Sequence, residues 1–251
     1  MSEMLHPTTE LAARMRALTP ARVALGRTGV SLQTRDMLDF QLAHAQARDA
    51  VHAPLNGAAL AAELSAITSG QVLRVHSAAA DRATYLQRPD LGRRLSEESR
   101  SVLSHGPWDL ALIVADGLSA IAVGRHVPAL LQQLLPRLEG WRLAPLVVVE
   151  QGRVAIGDEI GWALGVQLSV VLIGERPGLS SPDSLGAYIT WEPRPGRSDA
   201  ERNCISNIRT EGLSTTMAAA QLGLYLTEAR SRRLTGIALK DDSHLLKEHT
   251  L

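Results

Sequence analysis

The chain has 251 residues, 45% hydrophobic and 21% charged, the balance of a globular protein long enough to bury one substantial core. Its 26 Lys plus Arg equal its 26 Asp plus Glu, so no net field draws it toward nucleic acid or an anionic membrane. No apolar run approaches the roughly 18 residues of a membrane span, and a single cysteine, Cys204, excludes an internal disulfide.

A reducing compartment is therefore expected. The first residues, Met1-Ser-Glu-Met-Leu-His-Pro, lack the basic-then-apolar order of a secretory signal. The expected location is the cytoplasm, or a bacterial microcompartment filled from it. With aromatics at 3% and one Phe, the core must be built from Leu, Ile, Val and Ala.

Residues 10–105 are rich in Ala and Leu and laced with Arg. Over 34–51, Met37/Leu38, Leu42, Ala45 and Ala50/Val51 recur near helical spacing, with Thr34 as the N-cap. A second short helix spans 60–67 and ends at Ser69-Gly70. Segments 74–86 and 96–103 also read as helical, separated by Arg88-Pro89-Asp90. Residues 1–105 are taken together as a helical N-terminal region, and 106–251 as a second domain.

From residue 108 the texture changes. The run 108–116 is continuously apolar and ends in Asp116-Gly117, the pattern of a strand buried on both faces. A helix over 127–135 follows, with Pro128 in its first turn and Pro136 at its end. Strand 143–150, helix 155–164 closed by Gly165, and strand 168–174 complete an alternation that requires a parallel sheet with right-handed crossovers. A polar loop over 174–183 leads to a strand at 185–191 and a second loop at 193–202. Helix 213–233 carries Arg230, Arg232 and Arg233 at the negative end of its dipole and stops at Gly236. An edge strand at 236–239 and a solvated tail at 240–251 end the chain. The expected fold is α/β: a Rossmann-like, doubly wound, mainly parallel sheet preceded by a helical N-terminal extension.

Ligands of an open parallel sheet bind beyond the carboxyl ends of its strands. Three segments stand there: Asp116-Gly-Leu-Ser-Ala120, Glu150-Gln-Gly-Arg-Val-Ala-Ile-Gly-Asp158, and the Gly-, Pro- and Ser-rich stretch around Glu175 and Arg176. Such a loop lets backbone approach a ligand closely, and Glu175 offers an acceptor to an amide or hydroxyl, but a rigid surface loop fits equally well. The stretch Arg202-Asn-Cys-Ile-Ser-Asn-Ile-Arg209 either lines a cleft or turns the chain. Cys204 reads as a small buried hydrophobe rather than a nucleophile, since no His partner can be named for it.

Absent motifs narrow the chemistry. There is no Gly-x-Gly-x-x-Gly turn after the first strand and no nucleoside-triphosphate loop. His44 and His52, eight residues apart, lack zinc spacing. Gly117-Leu-Ser119-Ala-Ile stands where a nucleophile elbow would, but Ala120 and Ile121 replace its closing Gly, so a Ser119 hydrolase is a weak reading.

Five segments in order carry a resemblance. They are Thr19-Pro-Ala-Arg-Val-Ala-Leu-Gly-Arg27, Asp39-Phe-Gln-Leu-Ala-His-Ala-Gln-Ala-Arg-Asp-Ala-Val-His52, Asp116-Gly-Leu-Ser-Ala120, 174–188 and 202–209. Together they resemble the small subunit of ethanolamine ammonia-lyase, the adenosylcobalamin-dependent radical enzyme that converts ethanolamine to acetaldehyde and ammonia. The resemblance runs from about Thr19 to Gly236.

The resemblance implies a hetero-oligomer in which a large β/α-barrel subunit binds ethanolamine and performs the radical chemistry. The small subunit closes over the lower face and nucleotide tail of cobalamin. Cofactor contacts carry over to Val154, through its backbone carbonyl, Glu175 and Cys204. Region 1–105 then makes subunit contacts and region 106–251 contacts cobalamin. No catalytic residue and no metal ligand is assigned to this chain. Asp242-Ser-His244 is the nearest match to the Asp-x-His-x-x-Gly motif of base-displacing cobalamin proteins, but Lys247 stands in place of Gly. The cofactor is therefore expected to keep its own base. The competing readings are a purely structural partner subunit and a free-standing α/β hydrolase or oxidoreductase.

Overall fold

A computed structural model describes residues 7–19 and 21–240. Helix α1 (Pro7–Leu18) leads into a small antiparallel ribbon, β1 (Arg27–Thr28) and β2 (Ser31–Leu32). Helices α2 (Thr34–His52) and α3 (Gly57–Thr68) precede strand β3 (Val72–His76) and the short helices α4 (Arg82–Gln87) and α5 (Glu97–Val102). Then come β4 (Leu110–Ala115), α6 (Ala120–Leu134), β5 (Leu146–Glu150), α7 (Ile156–Leu164) and β6 (Leu168–Gly174). The chain continues through β7 (Leu185–Trp191), β8 (Arg202–Ile208), α8 (Thr215–Arg232) and α9 (Ile237–Lys240).

Six strands form one sheet in the order β3-β5-β4-β6-β7-β8. The first four are parallel, and β7 and β8 extend the sheet antiparallel. The fold is thus α/β with a mostly parallel sheet, as the alternation of elements requires. Burial on both faces explains the unbroken apolar run of β4. Leu110, Leu112 and Val114 pack with Val127, Leu131 and Leu222, while Ala111, Ile113 and Ala115 pack with Ile156, Ile160 and Leu164 of α7. Each fully buried Leu, Ile or Val contributes about 1.5–3 kcal/mol. No helix among the described residues is long and apolar enough to cross a membrane.

Five expectations need correction. Segment 74–86 is not one helix: Val72–His76 pairs in parallel with β5 as the sheet's edge strand, and the helix begins only where Asp81 caps it by accepting the Thr84 N–H at 2.8 Å. The helix around Pro128 starts at Ala120, so the proline lies in its interior. Packing of Val123, Val127, Leu130 and Leu131 outweighs the roughly 3 kcal/mol that an interior proline costs. The polar stretch 202–208 is a strand, β8, because its polar side chains find buried partners: Arg202 meets Asp158, and Asn203 binds both backbone polar groups of Gly236 at 2.8 and 3.1 Å. That same contact takes up Gly236, and the expected edge strand at 236–239 is instead α9. Helix α2 also starts one residue earlier than expected, with Gln33 at the cap position in place of Thr34. Asp242, His244 and the tail from residue 241 lie outside the described residues.

Candidate functional site

The carboxyl ends of β4, β5 and β6 meet at one edge of the molecule, where the sheet rule places a ligand. The β4 and β6 ends touch backbone to backbone. The Leu118 N–H donates to the Gly174 carbonyl at 2.9 Å, and Gly117, at φ +56°, turns the chain. A Cβ at Gly117 would lie 2.2 Å from the Gly174 oxygen, and one at Gly174 would lie 2.1 Å from the Ser119 oxygen. Ser119 is fully buried: its hydroxyl accepts the Ala122 N–H at 3.2 Å, capping α6, and donates to the Pro182 carbonyl at 2.9 Å. Those bonds pin the 175–184 loop and leave Ser119 no role as an exposed nucleophile.

Beneath this edge lies a buried ion pair. Arg82 Nη1 reaches Asp116 Oδ2 at 3.3 Å, the Gly117 carbonyl at 2.9 Å and Gln151 Oε1 at 3.3 Å, while its Nε donates to the Val51 carbonyl at 2.7 Å. One guanidinium therefore ties the end of α2 to the ends of β4 and β5. Asp116 Oδ1 accepts the Gly152 N–H at 3.0 Å, which sets the course of the loop carrying Arg153 and Val154.

Burial pushes the Asp116 carboxyl up to about 6, against the opposing pull of Arg82 and of the Gln151, Gly152 and Gly117 N–H groups. A carboxyl raised in the folded state favours the fold fully below its ordinary value and loses that contribution as pH rises through about 6. At about 1.4 kcal/mol per unit the component approaches 3 kcal/mol. Asp116→Asn cannot titrate. The stability difference between wild type and this variant, read from urea unfolding, is expected to change by up to about 3 kcal/mol between pH 4 and pH 7. A difference independent of pH would contradict this account of the buried pair.

Val154 and Glu175 line one open cavity of about 390 Å³, together with Arg153, Arg176 and Tyr188. Glu175 Oε2 accepts the Ser184 hydroxyl and the Asn207 N–H, the latter at 3.2 Å. Its Oε1 has no hydrogen-bond partner among the described residues and is free to accept one. The Val154 carbonyl accepts the Gly157 N–H at 3.1 Å in the first turn toward α7, which leaves one lone pair. Cys204 does not line this cavity. It lies half-buried on β8 directly opposite Tyr188 of β7, with its Sγ 3.2 Å from Ser206 Oγ.

Tyr188 thus links the three expected residues, and sequence reasoning did not single it out. Burial, reinforced by Cys204 and Glu175, pushes its phenol above the ordinary range, so it stays a neutral hydrogen-bonding group. Its signal was modest: it closes the 174–188 motif. Arg82 and Tyr85 gave none, because a helical reading of 74–86 hid the turn that brings them to the sheet edge. A second cavity of about 630 Å³ shares Arg153, Val154 and Tyr188 with the first and extends to Arg93, Arg94, Asp158, Arg197 and Arg202.

Residues 9–240 match the ethanolamine ammonia-lyase light chain (EutC) family. The chain belongs to this family. Among curated relatives, the ethanolamine ammonia-lyase small subunit of Xanthomonas campestris pv. campestris is 57% identical over 251 residues, covering 97% of this chain and 92% of its own. That of Pseudomonas aeruginosa (strain LESB58) is 58% identical over 239 residues, covering 92% of this chain and 87% of its own. That of Pseudomonas fluorescens is 55% identical over 250 residues, covering 96% and 91%. The five ordered segments therefore identified the light-chain family correctly, and its members are lyase subunits.

Proposed function

We propose that this chain, joined to a large catalytic subunit of ethanolamine ammonia-lyase, holds adenosylcobalamin by its lower face and nucleotide tail. The observation that carries the reading is the cavity at the strand ends, where Glu175 and Val154 each present an unused acceptor. A corrin periphery is rich in carboxamide N–H donors, and acceptors of this kind suit it. The edge is Rossmann-like in placing a ligand beyond the strand ends. The cofactor supplies the radical chemistry when bound. Glu175, held by Ser184 and Asn207, orients the cofactor without having to reorganise. Tyr188 and the 175–184 loop border the same edge, where they would help shield the bound cofactor from water. Val154, Glu175 and Cys204 keep the roles that the resemblance implies, Cys204 through its place beside Tyr188.

The large subunit meets the N-terminal region. Of the nineteen residues of α2 only Ala43 and Ala50 are buried, and Met37, Leu38, Phe40 and Leu42 stand exposed. Met37, Leu38 and Leu42 share one side of the helix, and an exposed apolar strip of this kind on a chain from a subunit family reads as a docking surface rather than a piece of its own core. The complex is placed in the cytoplasm or in a microcompartment filled from it, with ethanolamine bound by the large subunit.

Paired variants test both halves. Glu175→Ala, assembled with the large subunit, is expected to weaken adenosylcobalamin binding by about 10- to 100-fold, the worth of a charge-assisted hydrogen bond, and to leave assembly intact. Leu38→Asp with Leu42→Asp is expected to weaken assembly, and adenosylcobalamin affinity is expected to be unchanged once the subunit concentration is raised enough to restore the complex. A purely structural partner predicts no change of affinity in the first variant. Loss of assembly and affinity together in Glu175→Ala would remove the support this residue gives the reading.

A further inference from the structure

The two cavities at the sheet edge differ in what they offer a ligand. The smaller sets Glu175 and the Val154 carbonyl beside Arg153 and Arg176, while the larger sets Arg93, Arg94, Arg153, Arg197 and Arg202 against Asp158, Glu159 and Asp199. Three of these arginines are already engaged. Arg202 binds both oxygens of Asp158 at 2.6 Å, Arg197 pairs with Glu201 and Glu192, and Arg94 lies 3.5 Å from Asp90. The cavity's carboxylates are engaged as well: Asp158 by Arg202, Asp199 by the Arg202 Nε at 3.4 Å, and Glu159 by Arg100 and by the Leu95 N–H. Arg93 and Arg153 have no carboxylate within ion-pair distance among the described residues.

Arg153 is also held in place. Its guanidinium lies 4.3 Å above the Tyr85 ring, which Arg82 also approaches at 4.7 Å. Its main-chain N–H donates to the Gly92 carbonyl at 2.7 Å, and its side chain passes where a Gly92 side chain would be: a Cβ there would come within 2.8 Å of Arg153 Cγ and 3.0 Å of the Tyr85 ring. Gly92 therefore packs Arg153 beside Arg93, its own neighbour in sequence. Yet the Arg153 Nε is buried with no hydrogen-bond partner, and the only bond of its guanidinium among the described residues is Nη2 to the Tyr85 carbonyl at 3.3 Å. Its Nη1 makes no hydrogen bond among the described residues and is not sealed off as Nε is, so an anion beside it would give this under-bonded cation an acceptor. Guanidinium groups match phosphate oxygens in particular.

We propose that Arg153, with Arg93, receives a phosphodiester in the larger cavity: the anionic link between the corrin and the nucleotide base of the cofactor. This rests on the reading of the chain as a cobalamin-holding subunit and divides that site in two, with carboxamides at Glu175 and the anionic tail at Arg153. The shared wall of Arg153, Val154 and Tyr188 is where corrin edge gives way to tail.

Cobinamide, which has the corrin but no phosphodiester or base, isolates the claim. The assembled complex of this chain with its large subunit is titrated with cyanocobalamin and with cobinamide, for wild type, Arg153→Met, Arg153→Lys and Arg93→Met. The expected result is a loss of at least tenfold in cobalamin affinity in Arg153→Met, a smaller loss in Arg153→Lys and in Arg93→Met, and no change for cobinamide in any variant. Arg93 is exposed, so its variant keeps the test valid if Arg153→Met fails to fold. Equal losses for both corrinoids, or none for either, would overturn the proposal. A cavity that binds free inorganic phosphate instead gives the second of these results. Wild-type complex that binds neither corrinoid would overturn the cobalamin reading itself, and this inference with it.

Discussion

Replacing Arg202 with Met is expected to destabilise the chain by about 3–5 kcal/mol, because it leaves the Asp158 carboxylate buried without its counter-ion. Both side chains are almost fully inaccessible, 2% and 3% exposed, and both guanidinium Nη atoms lie 2.6 Å from the two carboxylate oxygens. Arg202 further donates to Thr190 Oγ1 at 3.1 Å and to the Arg197 carbonyl at 3.0 Å, so it ties β8, β7 and α7 together. Removing one partner exposes the full desolvation cost of the other. Replacing both with apolar residues of similar volume, Asp158→Leu with Arg202→Met, removes the stranded charge and is expected to recover most of the loss. Urea unfolding at neutral pH reads both effects. A single variant that loses less than about 1 kcal/mol would show that the pair behaves as a solvated surface pair.

The second large effect is at Gly117. Gly117→Ala places a Cβ on top of the Gly174 carbonyl and forces an alanine to hold φ +56°. The left-handed backbone costs about 1–3 kcal/mol and the steric overlap a similar amount, so a total of about 2–6 kcal/mol is expected. The damage is not spread evenly. It falls on the junction between the ends of β4 and β6, from which Glu175 is carried directly. Cofactor binding is therefore expected to fall further than global stability does. The check is a comparison of unfolding free energy with adenosylcobalamin affinity in the same variant. Full affinity in a destabilised protein would show that the edge adjusts, and that close approach of these two strands does not position the site.

The parts of the fold that were legible are those in which local chemistry and tertiary role agree. The strands at 110–115, 146–150, 168–174 and 185–191 are apolar because they are buried, so pattern and burial give the same answer. Gly165 closes α7 in the left-handed conformation its position requires. The elements that were missed draw their stability from distant partners. Strand β8 is polar because Asp158 and Gly236 await its Arg202 and Asn203, and neither partner is visible from the segment itself. The interior Pro128 of α6 is tolerated only because that helix is pressed against the sheet on its apolar face. Edge strand β3 is five residues long and partly exposed, too little pattern to separate from a helix.

The site shows the same division. Glu175 and the loop before α7 follow from the rule that ligands sit beyond parallel strand ends, and both fall on one cavity. The arginines and tyrosines around them come from four separate segments, and nothing in their spacing announces that they meet. Arg82 reaches Asp116 across thirty-four residues, and Arg153 reaches the Tyr85 carbonyl across sixty-eight.

The most direct test of the cofactor-holding role compares this chain alone, the large subunit alone and the mixture, measuring adenosylcobalamin affinity and ammonia released from ethanolamine. Half an enclosure buries only half of a large cofactor, so tight binding and turnover are expected in the mixture and in neither chain by itself. Turnover by this chain alone would place a complete active site within it and contradict the account.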